Sequence, residues 1–394
     1  MFKKSIDSAL NWIERQMLSF DGGYWGVYER LRTDIHQRTP LCRPDTASEY
    51  LKVLQIYEGV YGGSFSEKKE KMLRWLAYAQ NTAAENGNTA FPFALLEGVK
   101  RYECDKCLYQ NDNGKIIINL WDTYNLSGDE RCKELAVSCA EFWAGIQRDD
   151  GCFHADDIKL IQPYPEAMCF VAWMMTAMHV TYKYTNDERF LICGDRAFSF
   201  VKKNIKQGRV LSSYETGGTE KWRPVSSDCY IALLCLCRSY EITRNEELLN
   251  CIKEIAPFLD ELLDLDTGAV LNCTEGTADI TNQGNYRMSD LVYTDGFAIN
   301  ALIEAYRILG DESYLEKAVR LGKWLESIQI CEGNPLYDGA WRGSYHLDLK
   351  TYYGRCGNAA DEGGVYSIYT GWSTLPIVMG MLKIQKEISK KNDC

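Results

Sequence analysis

Residues 286–310 read YRMSDLVYTDGFAINALIEAYRILG, and residues 311–333 continue as DESYLEKAVRLGKWLESIQICEG. The first segment is apolar almost all round, which predicts a helix packed on every side. In the second segment, apolar residues such as Leu315, Ala318 and Leu325 recur at helical spacing with charged residues between them, which predicts a helix with one face in water. A buried helix, a tight turn and a half-exposed helix together form one helical hairpin.

The turn between these two helices recurs along the chain. The sequence YRILGDESYLEKA at 306–318 is matched by YNLSGDERCKELA at 124–136, YTNDERFLICGDRA at 184–197 and YEITRNEELLNCI at 240–252. Gly or Asn favours a left-handed end to the first helix, and an acidic residue behind it can cap the next helix. The predicted caps are Asp129, Asp187 and Asp311.

A second periodic mark is a glycine at the far end of each amphipathic segment. These glycines are 57 to 65 residues apart, at positions 23, 87, 151, 208, 268 and 333. Six marks at nearly one spacing predict six hairpins, and such internal periodicity decides the fold before any motif does.

The hairpins supply twelve predicted helices, which alternate between amphipathic outer helices and more apolar inner helices. The outer helices are predicted near 2–18, 66–81, 129–147, 187–205, 246–263 and 311–329, and the inner helices near 45–61, 113–126, 165–184, 226–243, 289–309 and 366–387. We therefore expect an all-α fold, a closed (α/α)6 toroid of six helical hairpins that spans residues 1–394 as a single domain. The alternative is an open solenoid, which requires polar terminal caps, but the last inner segment is as apolar as any other.

Composition and charge argue against several classes of function. The 394 residues are 46% hydrophobic and carry a net charge of -11 without a Lys/Arg cluster, which argues against nucleic-acid and anionic-membrane partners. The N-terminal segment lacks the continuous apolar region of a signal peptide, and no apolar run reaches the roughly 18 residues of a transmembrane helix. Many of the 16 cysteines fall inside helical patterns, which predicts buried free thiols and a cytoplasmic location. The one CxxC pair, Cys104 and Cys107, lacks the further ligands of a zinc site, so we expect no metal and no cofactor.

The predicted loops from outer to inner helices are long and rich in aromatic and arginine residues, whereas the opposite connections are short. Long loops on one face of a rigid scaffold usually carry function. Aromatic rings cover the apolar faces of pyranoses, and Arg binds a carboxylate in a bidentate fork, although packing of the loops explains some of these residues. The candidate substrate-binding residues are Trp25, Tyr28, Arg30, Arg43, His154, Trp222, Arg223, Tyr293, Trp341, Arg342, Tyr369 and Trp372.

Each predicted inner helix also begins with a carboxylate. The helix dipole favours an acid there by about 0.3–1 kcal/mol, so a structural role explains any single one. The toroid, however, would collect these groups at one funnel mouth, where like charges raise the pKa of one carboxyl group, as a general acid and its partner base require. The candidate catalytic residues are Asp112 and Asp228 as the preferred pair, with Glu166 and Asp45 as substitutes.

The sequence lacks the motifs of several other classes of enzyme. It has no GxSxG, and no GxGxxG or GxxxxGK[ST] follows a strand. Its four histidines give little support to a His-based epimerase or a His-rich metal site, and only His154 in a rim loop is retained as a candidate.

The sequence resembles the six-hairpin (α/α)6-toroid glycosidases and lyases, above all unsaturated glucuronyl hydrolases and β-glucuronidase-like families. The resemblance covers the whole repeat pattern and is clearest in Asp112-Asn113-Gly114, in the turn at Gly128-Asp129-Glu130, in DGGYWGVYERLR and in RPD at 43–45. It implies that acids at inner-helix N-termini carry the acid/base chemistry, here Asp45, Asp112, Glu166 or Asp228. The chain departs from the glucuronyl hydrolases at Thr370-Gly371-Trp372, where those enzymes have an RGxxW-type segment.

We therefore expect a metal-independent glycoside hydrolase that acts on acidic, uronic-acid-containing oligosaccharides. Arg43, Arg223 and Arg342 are expected to hold the sugar carboxylate. One alternative is a lyase on the same toroid, with His154 or Tyr345 abstracting a proton α to the uronate carboxyl group. The other alternative is a non-catalytic toroid that binds a glycan or a protein.

Overall fold

The structure is a computed structural model. It describes residues 1–21, 23–84, 88–97, 101–102, 107–155, 159–160, 167–210, 226–273, 287–292, 294–352 and 368–392. Helices alternate between an outer and an inner layer, as predicted. The outer helices are α1 (Lys3–Trp12), α3 (Ser66–Ala84), α5 (Glu130–Gly145), α7 (Glu188–Lys203), α9 (Glu246–Ile255) and α11 (Glu312–Ile328). The inner helices are α2 (Pro44–Tyr61), α4 (Gln110–Ser127), α6 (Met168–Thr185), α8 (Ser226–Thr243), α10 (Asp295–Leu309) and α12 (Gly371–Asn392).

The inner helices form a closed ring. Each packs against the next, from α2 to α4, α6, α8, α10 and α12, and α12 packs back against α2. Each outer helix packs against an inner one, and α1 reaches α12 at the seam. This closure confirms the all-α toroid and excludes the open solenoid.

The predicted turns between inner and outer helices are confirmed. Asp129, Asp187 and Asp311 are N-cap residues, and their side chains accept hydrogen bonds from the backbone N–H groups two residues ahead. The preceding helices end in left-handed residues at Gly128, Asn186 and Gly310. These contacts lie within a few residues of sequence, which is why the repeat was readable.

Short strands lie in the loops between outer and inner helices. The antiparallel pairs join Leu18–Asp21 to Tyr24–Val27, Leu31–Arg32 to Gln37–Arg38, Leu41–Cys42 to Leu95–Leu96, Leu95–Leu96 to Arg101–Tyr102, Ile205–Lys206 to Arg209–Val210, Met288–Asp290 to Ser344–His346, and Ser344–His346 to Thr351–Tyr352. Cys107–Leu108 pairs in parallel with Lys159–Leu160. The fifth inner helix therefore begins at Asp295 rather than at 289, because residues 288–290 are extended and hydrogen-bonded to the loop before α12.

Two outer helices end irregularly. The first continues from α1 as a π-helical segment, Ile13–Met17, and α9 continues as a 3-10 segment, Ala256–Leu262, with a proline in its first turn. The cysteines whose side chains the structure describes are free thiols, and all of them except Cys331 are buried. Within the ranges given above, none of the helices combines the length and the apolar character that crossing a bilayer requires.

A close approach of α4 and α6 orients the first turn of α4. A Cβ atom on Gly114 would lie 3.0 Å from both the backbone carbon and the Cβ of Trp173. A larger side chain at this position would push the two helices apart. Gly114 thus fixes Asp112 and Trp173 on adjoining walls of the ring.

Candidate active site

The first turns of the inner helices enclose a cavity of about 160 Å³ on the side of the loops. All six inner helices contribute to its lining, through Asp45 (α2), Asp112 and Lys115 (α4), Trp173 (α6), Asp228 (α8), Phe297 (α10) and Trp372 (α12). The cavity collects three of the predicted carboxylates, and each of these is almost fully buried: Asp45 at 1%, Asp112 at 4% and Asp228 at 3% exposure. We call this space the outer cavity.

Arg43, the residue before α2, joins two of these carboxylates. Its Nε donates to Asp45 Oδ1 at 3.0 Å and its Nη2 to Asp45 Oδ2 at 3.1 Å, which is a bidentate pair. The same Nη2 donates to Asp112 Oδ2 at 2.5 Å. One guanidinium group therefore holds the carboxylates of two neighbouring helices side by side.

Lys115 is the second cation of this cluster. Its Nζ donates to Asp45 Oδ2 at 2.9 Å and lies 3.6 Å from Asp112 Oδ1. Lys115 is one turn after Asp112 on α4, so both side chains point to the same face of the helix. Asp45 thus receives two cations at short distance, whereas Asp112 receives one.

This asymmetry separates the protonation of the two carboxyl groups. Burial alone would raise both pKa values, but Arg43 and Lys115 hold the pKa of Asp45 well below its usual range. Burial raises the pKa of Asp112 to about 6, and Asp45 adds to the rise through its charge and a hydrogen bond. Near neutral pH, Asp45 is ionised and Asp112 is the member of the pair that exchanges a proton.

Glu49 lies one turn after Asp45 on α2, where Thr46-x-x-Glu49 has the spacing of a capping box. The helix begins earlier, after Arg43, and has no side-chain cap. Glu49 is 3% exposed, and its Oε1 lies 3.8 Å from Lys115 Nζ. Burial raises the pKa of Glu49 to about 8, so the group is protonated at neutral pH.

Aromatic rings form much of the remaining wall. Phe93 and Tyr109 stack with ring centroids 5.4 Å apart, and Trp173 meets Phe297 edge to face at 5.4 Å. The Arg43 guanidinium lies 4.1 Å from the Phe93 ring centroid. Such walls present apolar faces with polar groups between them, which suits a sugar ring.

Two buried donors on the cavity wall have no partner among the described residues. They are Arg30 Nε and Trp372 Nε1. The Arg30 guanidinium lies 5.6 Å from the centroid of the Trp372 ring, and its Nη2 donates to Glu29 Oε1 at 2.7 Å. Unpartnered buried donors are costly, so a hydrogen-bond acceptor at either N–H group would stabilise the structure.

Comparisons with solved structures agree with this architecture. A cellobiose 2-epimerase from Spirochaeta thermophila matches with a TM-score of 0.71 and 12% identity, over 99% of this chain and 99% of that one. An unsaturated glucuronyl hydrolase specific for heparin matches with a TM-score of 0.68 and 14% identity, over 99% and 97%. A GH76 α-mannanase from Bacteroides thetaiotaomicron matches with a TM-score of 0.66 and 13% identity, over 99% and 97%. The chain has the fold of the six-hairpin toroid enzymes. At these identities the likeness establishes the fold and not the reaction, and no family model and no curated protein matches the chain.

The toroid brings six of the predicted site residues to the outer cavity: Asp45, Asp112, Asp228, Arg30, Arg43 and Trp372. Four others, Glu166, Trp222, Arg223 and Tyr293, lie outside the described residues. The two preferred catalytic residues, Asp112 and Asp228, thus line one space from different helices.

The remaining six predicted binding residues do not line the outer cavity. Trp341 is fully buried, and its Nε1 donates to the Leu325 carbonyl at 2.7 Å, so it belongs to the core. Tyr369 stacks on Tyr337 at 4.7 Å, and its backbone bridges to Arg342. The others are Trp25, packed edge to face on Phe20; Tyr28, on a separate surface cleft with Arg38 and Glu97; and His154, half-buried in its loop.

Several wall residues were not predicted from the sequence. Lys115 was detectable in principle, because it follows Asp112 by three residues on one helix face. Phe93, Trp173 and Phe297 sit in apolar segments where nothing in the local pattern distinguishes a cavity wall from the core. Tyr109 directly precedes α4 in a polar stretch that does not mark it as a wall residue.

Proposed function

We propose that the protein is a glycoside hydrolase that acts on acidic, uronic-acid-containing oligosaccharides in the outer cavity. The observation that carries this proposal is the pair of adjoining carboxyl groups, Asp45 and Asp112, whose pKa values are pushed in opposite directions. Such a separation leaves Asp112 able to hold and release a proton near neutral pH, as a general acid requires. The fold is also that of hydrolases such as the glucuronyl hydrolase and the mannanase described above.

In this proposal Asp112 is the general acid and Asp228 is the base. Asp112, with its pKa near 6, can give a proton to the glycosidic oxygen as the bond breaks. Asp228 lines the cavity from α8, two inner helices further round the ring, where it can activate a water molecule. Asp45 and Arg43 are positioning residues, since they act on the substrate only through Asp112. The proposed reaction uses no cofactor.

Arg30 and Trp372 are proposed to bind the sugar carboxylate and a neighbouring hydroxyl group. Arg43 is one of the three arginines expected to hold the carboxylate, but its Nε and Nη2 are occupied by Asp45 and Asp112. Arg30 retains an unpartnered Nε on the wall, among the described residues, and Trp372 offers both its ring face and its indole N–H. A uronate matches this combination of a cation, a donor and an aromatic face.

Two other reactions are less well supported by the wall residues. None of the four histidines, all of which the structure describes, lines the outer cavity, which disfavours a histidine-based epimerase although epimerases share the fold. His154 and Tyr345, the bases considered for a lyase, do not line it either. Tyr345 packs edge to face on Trp324 and Tyr352.

The test is incubation with a panel of saturated and unsaturated uronides and neutral oligosaccharides, with product masses as the readout. A hydrolase adds one water per bond cleaved, whereas a lyase and an epimerase leave the total mass unchanged. Replacing Asp112 or Asp228 by Asn should lower kcat/KM by about 10²–10⁴-fold without loss of the helical circular-dichroism signal. Asp149→Asn is the matched control, because Asp149 is an exposed acid of the same rim outside the cavity.

The proposal fails if both variants turn over like the wild type. It also fails if every sugar in the panel raises the melting temperature without giving product, which is the result expected of a non-catalytic binder. Cleavage of neutral oligosaccharides alone would retain the hydrolase and reject the uronide.

A further inference from the structure

A second chamber lies on the toroid axis, further from the loops than the outer cavity. Its lining comes from later turns of the inner helices: Lys52 (α2), Asn119 (α4), Thr176 (α6), Arg238 (α8), Asn300 (α10) and Lys383 (α12). The side chains of Lys115, Trp173 and Phe297 line both spaces, so the two adjoin there. We call the second space the inner chamber.

Among the described residues, four cations line the inner chamber. Lys115 is paired with Asp45 of the outer cavity. The other three are largely buried, and two of them share one carboxylate. Lys52 Nζ lies 2.6 Å from Asp122 Oδ2, and Arg238 Nη2 lies 2.7 Å from Asp122 Oδ1. Lys383 Nζ lies 2.9 Å from Glu304 Oε1. Each of these lysine side chains is at most 11% exposed, so solvent screens them weakly.

The carboxylate of Glu304 is shared as well. Arg307 Nη1 lies 3.0 Å from Glu304 Oε2, and Arg307 Nη2 lies 2.6 Å from Glu387 Oε1. Over the described residues of this network, four cations meet three carboxylates, which leaves one positive charge: Lys52, Arg238, Arg307 and Lys383 against Asp122, Glu304 and Glu387. Lys390 also reaches Glu387, but its side chain is 56% exposed, so water screens its charge.

The remaining acid on the chamber wall does not offset this surplus. Glu49 lines the inner chamber, and since burial raises its pKa to about 8, it is neutral at pH 7. Burial lowers the pKa of Lys383 to about 8; the Glu304 charge opposes this shift, and the charges of Lys52, Arg307 and Arg238 add to it. An uncompensated buried charge is unfavourable, so an anion in this space would stabilise the fold.

Donors remain for such an anion. An ammonium group has three N–H donors, and in the described part of the chain Lys383 makes one hydrogen bond, to Glu304. Asn300 is 3% exposed, and its Nδ2 donates to the carbonyls of Gly296 at 2.7 Å and Pro376 at 2.9 Å. Its Oδ1 is left without a partner among the described residues and suits a water molecule that hydrates the ion.

The size of the inner chamber selects the class of ligand. It offers about 50 Å³ to the centres of water-sized groups, against about 160 Å³ in the outer cavity. One water needs roughly 10–15 Å³ on this measure, so the chamber has room for a monatomic ion with a few waters. A pyranose ring is too large for it.

We propose that the inner chamber is a binding site for a small inorganic anion of the chloride class, held between Lys52, Arg238 and Lys383. These cations come from α2, α8 and α12, so the anion joins helices from different parts of the ring. The site does not depend on the proposed hydrolase activity.

The test compares thermal unfolding in sodium chloride and in sodium gluconate at equal ionic strength. Gluconate is too large for the chamber, so chloride should raise the melting temperature of the wild type by about 1–3 °C relative to gluconate. Lys383→Met should weaken the apparent chloride affinity by about tenfold or more. Lys386→Met is the matched control, because Lys386 is exposed on the same helix and should leave the chloride effect unchanged.

A second measurement keeps the proposal testable if the Lys383 variant does not fold. Wild-type crystals grown in bromide should show an anomalous peak between Lys52, Arg238 and Lys383. The proposal is overturned if the melting temperature is the same in both salts, or if Lys383→Met keeps the full chloride response. It is also overturned if glucuronate stabilises the protein through Lys383 while halides do not, because the chamber would then be a substrate subsite.

Discussion

The outer cavity and the inner chamber are lined by the same six helices, yet their charges follow opposite rules. In the outer cavity, acids at the first helical turns gather around Arg43 and Lys115, and one carboxyl group keeps an exchangeable proton. In the inner chamber, Lys and Arg from later turns outnumber the acids that pair with them among the described residues.

The difference follows from position along the helices. The helix dipole stabilises anions at the first turn, and that help fades within a turn, so carboxylates collect at the rim end. Deeper in the ring the helix dipole favours neither positive nor negative side chains. There, charged side chains from neighbouring helices must neutralise one another. The outer cavity is thus arranged for proton transfer, whereas the inner chamber is arranged to hold a charge.

The largest change in stability is expected from Arg43→Met, which removes the central cation of the outer cavity. Asp45 would keep Lys115 as its cationic partner, and Asp112 would lose its short hydrogen bond, so the free energy of unfolding should fall by about 3–5 kcal/mol at pH 7. The loss should be smaller at pH 5, because the native carboxyl groups then take up protons. Urea denaturation at both pH values measures this, with Arg38→Met on the exposed rim as the control. Equal stability of Arg43→Met and wild type at pH 7 would contradict the account of the cluster.

A smaller effect is expected from Glu49→Gln, at the boundary between the two spaces. The pKa of Glu49 is raised from 4.5 to about 8, so between these pH values the folded protein holds a proton that the unfolded chain has released. The stability of the wild type should therefore fall as pH rises through this window, whereas the amide of the variant cannot ionise. Denaturation at pH 5 and pH 8 should show the variant gaining about 1–3 kcal/mol relative to wild type at the higher pH.

The matched control for this measurement is Glu326→Gln, an exposed acid on α11. The control should track the wild type at both pH values. If Glu49→Gln tracks the wild type in the same way, Glu49 is ionised in the folded protein and the charge count of the inner chamber changes.

The smallest effect is expected from Asp45→Asn on the pH profile. If Asp112 is the general acid, wild-type kcat/KM should fall as pH rises through about 6, because the acid must be protonated. Without the Asp45 charge, Arg43 and Lys115 no longer share their positive charge with a second carboxylate. Their effect on Asp112 is then unopposed, and the pKa of Asp112 falls. The falling limb of the kcat/KM profile should move to lower pH by about one unit. This corresponds to a change of about 1.4 kcal/mol in the free energy of ionising Asp112. If the limb does not move, the charge of Asp45 does not influence the pKa of the general acid.

The sequence by itself determined the hairpins and their order. Asp129, Asp187 and Asp311 cap helices through contacts two residues long, and Gly128 and Gly310 end helices through their own backbone freedom. These interactions are local, so they recur visibly with the repeat. The same regularity placed Asp45, Asp112 and Asp228 at inner-helix starts.

Only the tertiary structure decided which side chains meet. Trp341 has the sequence context of a sugar-binding residue but is buried in the core. Glu49 has the spacing of a capping residue but is buried, with its Oε1 3.8 Å from Lys115 Nζ. The pairs of Arg43 with Asp112 and of Lys52 with Asp122 join residues about 70 positions apart on different helices. Such contacts depend on the ring closing and on the rotation of each helix within it, and no window of sequence a few residues long contains that information.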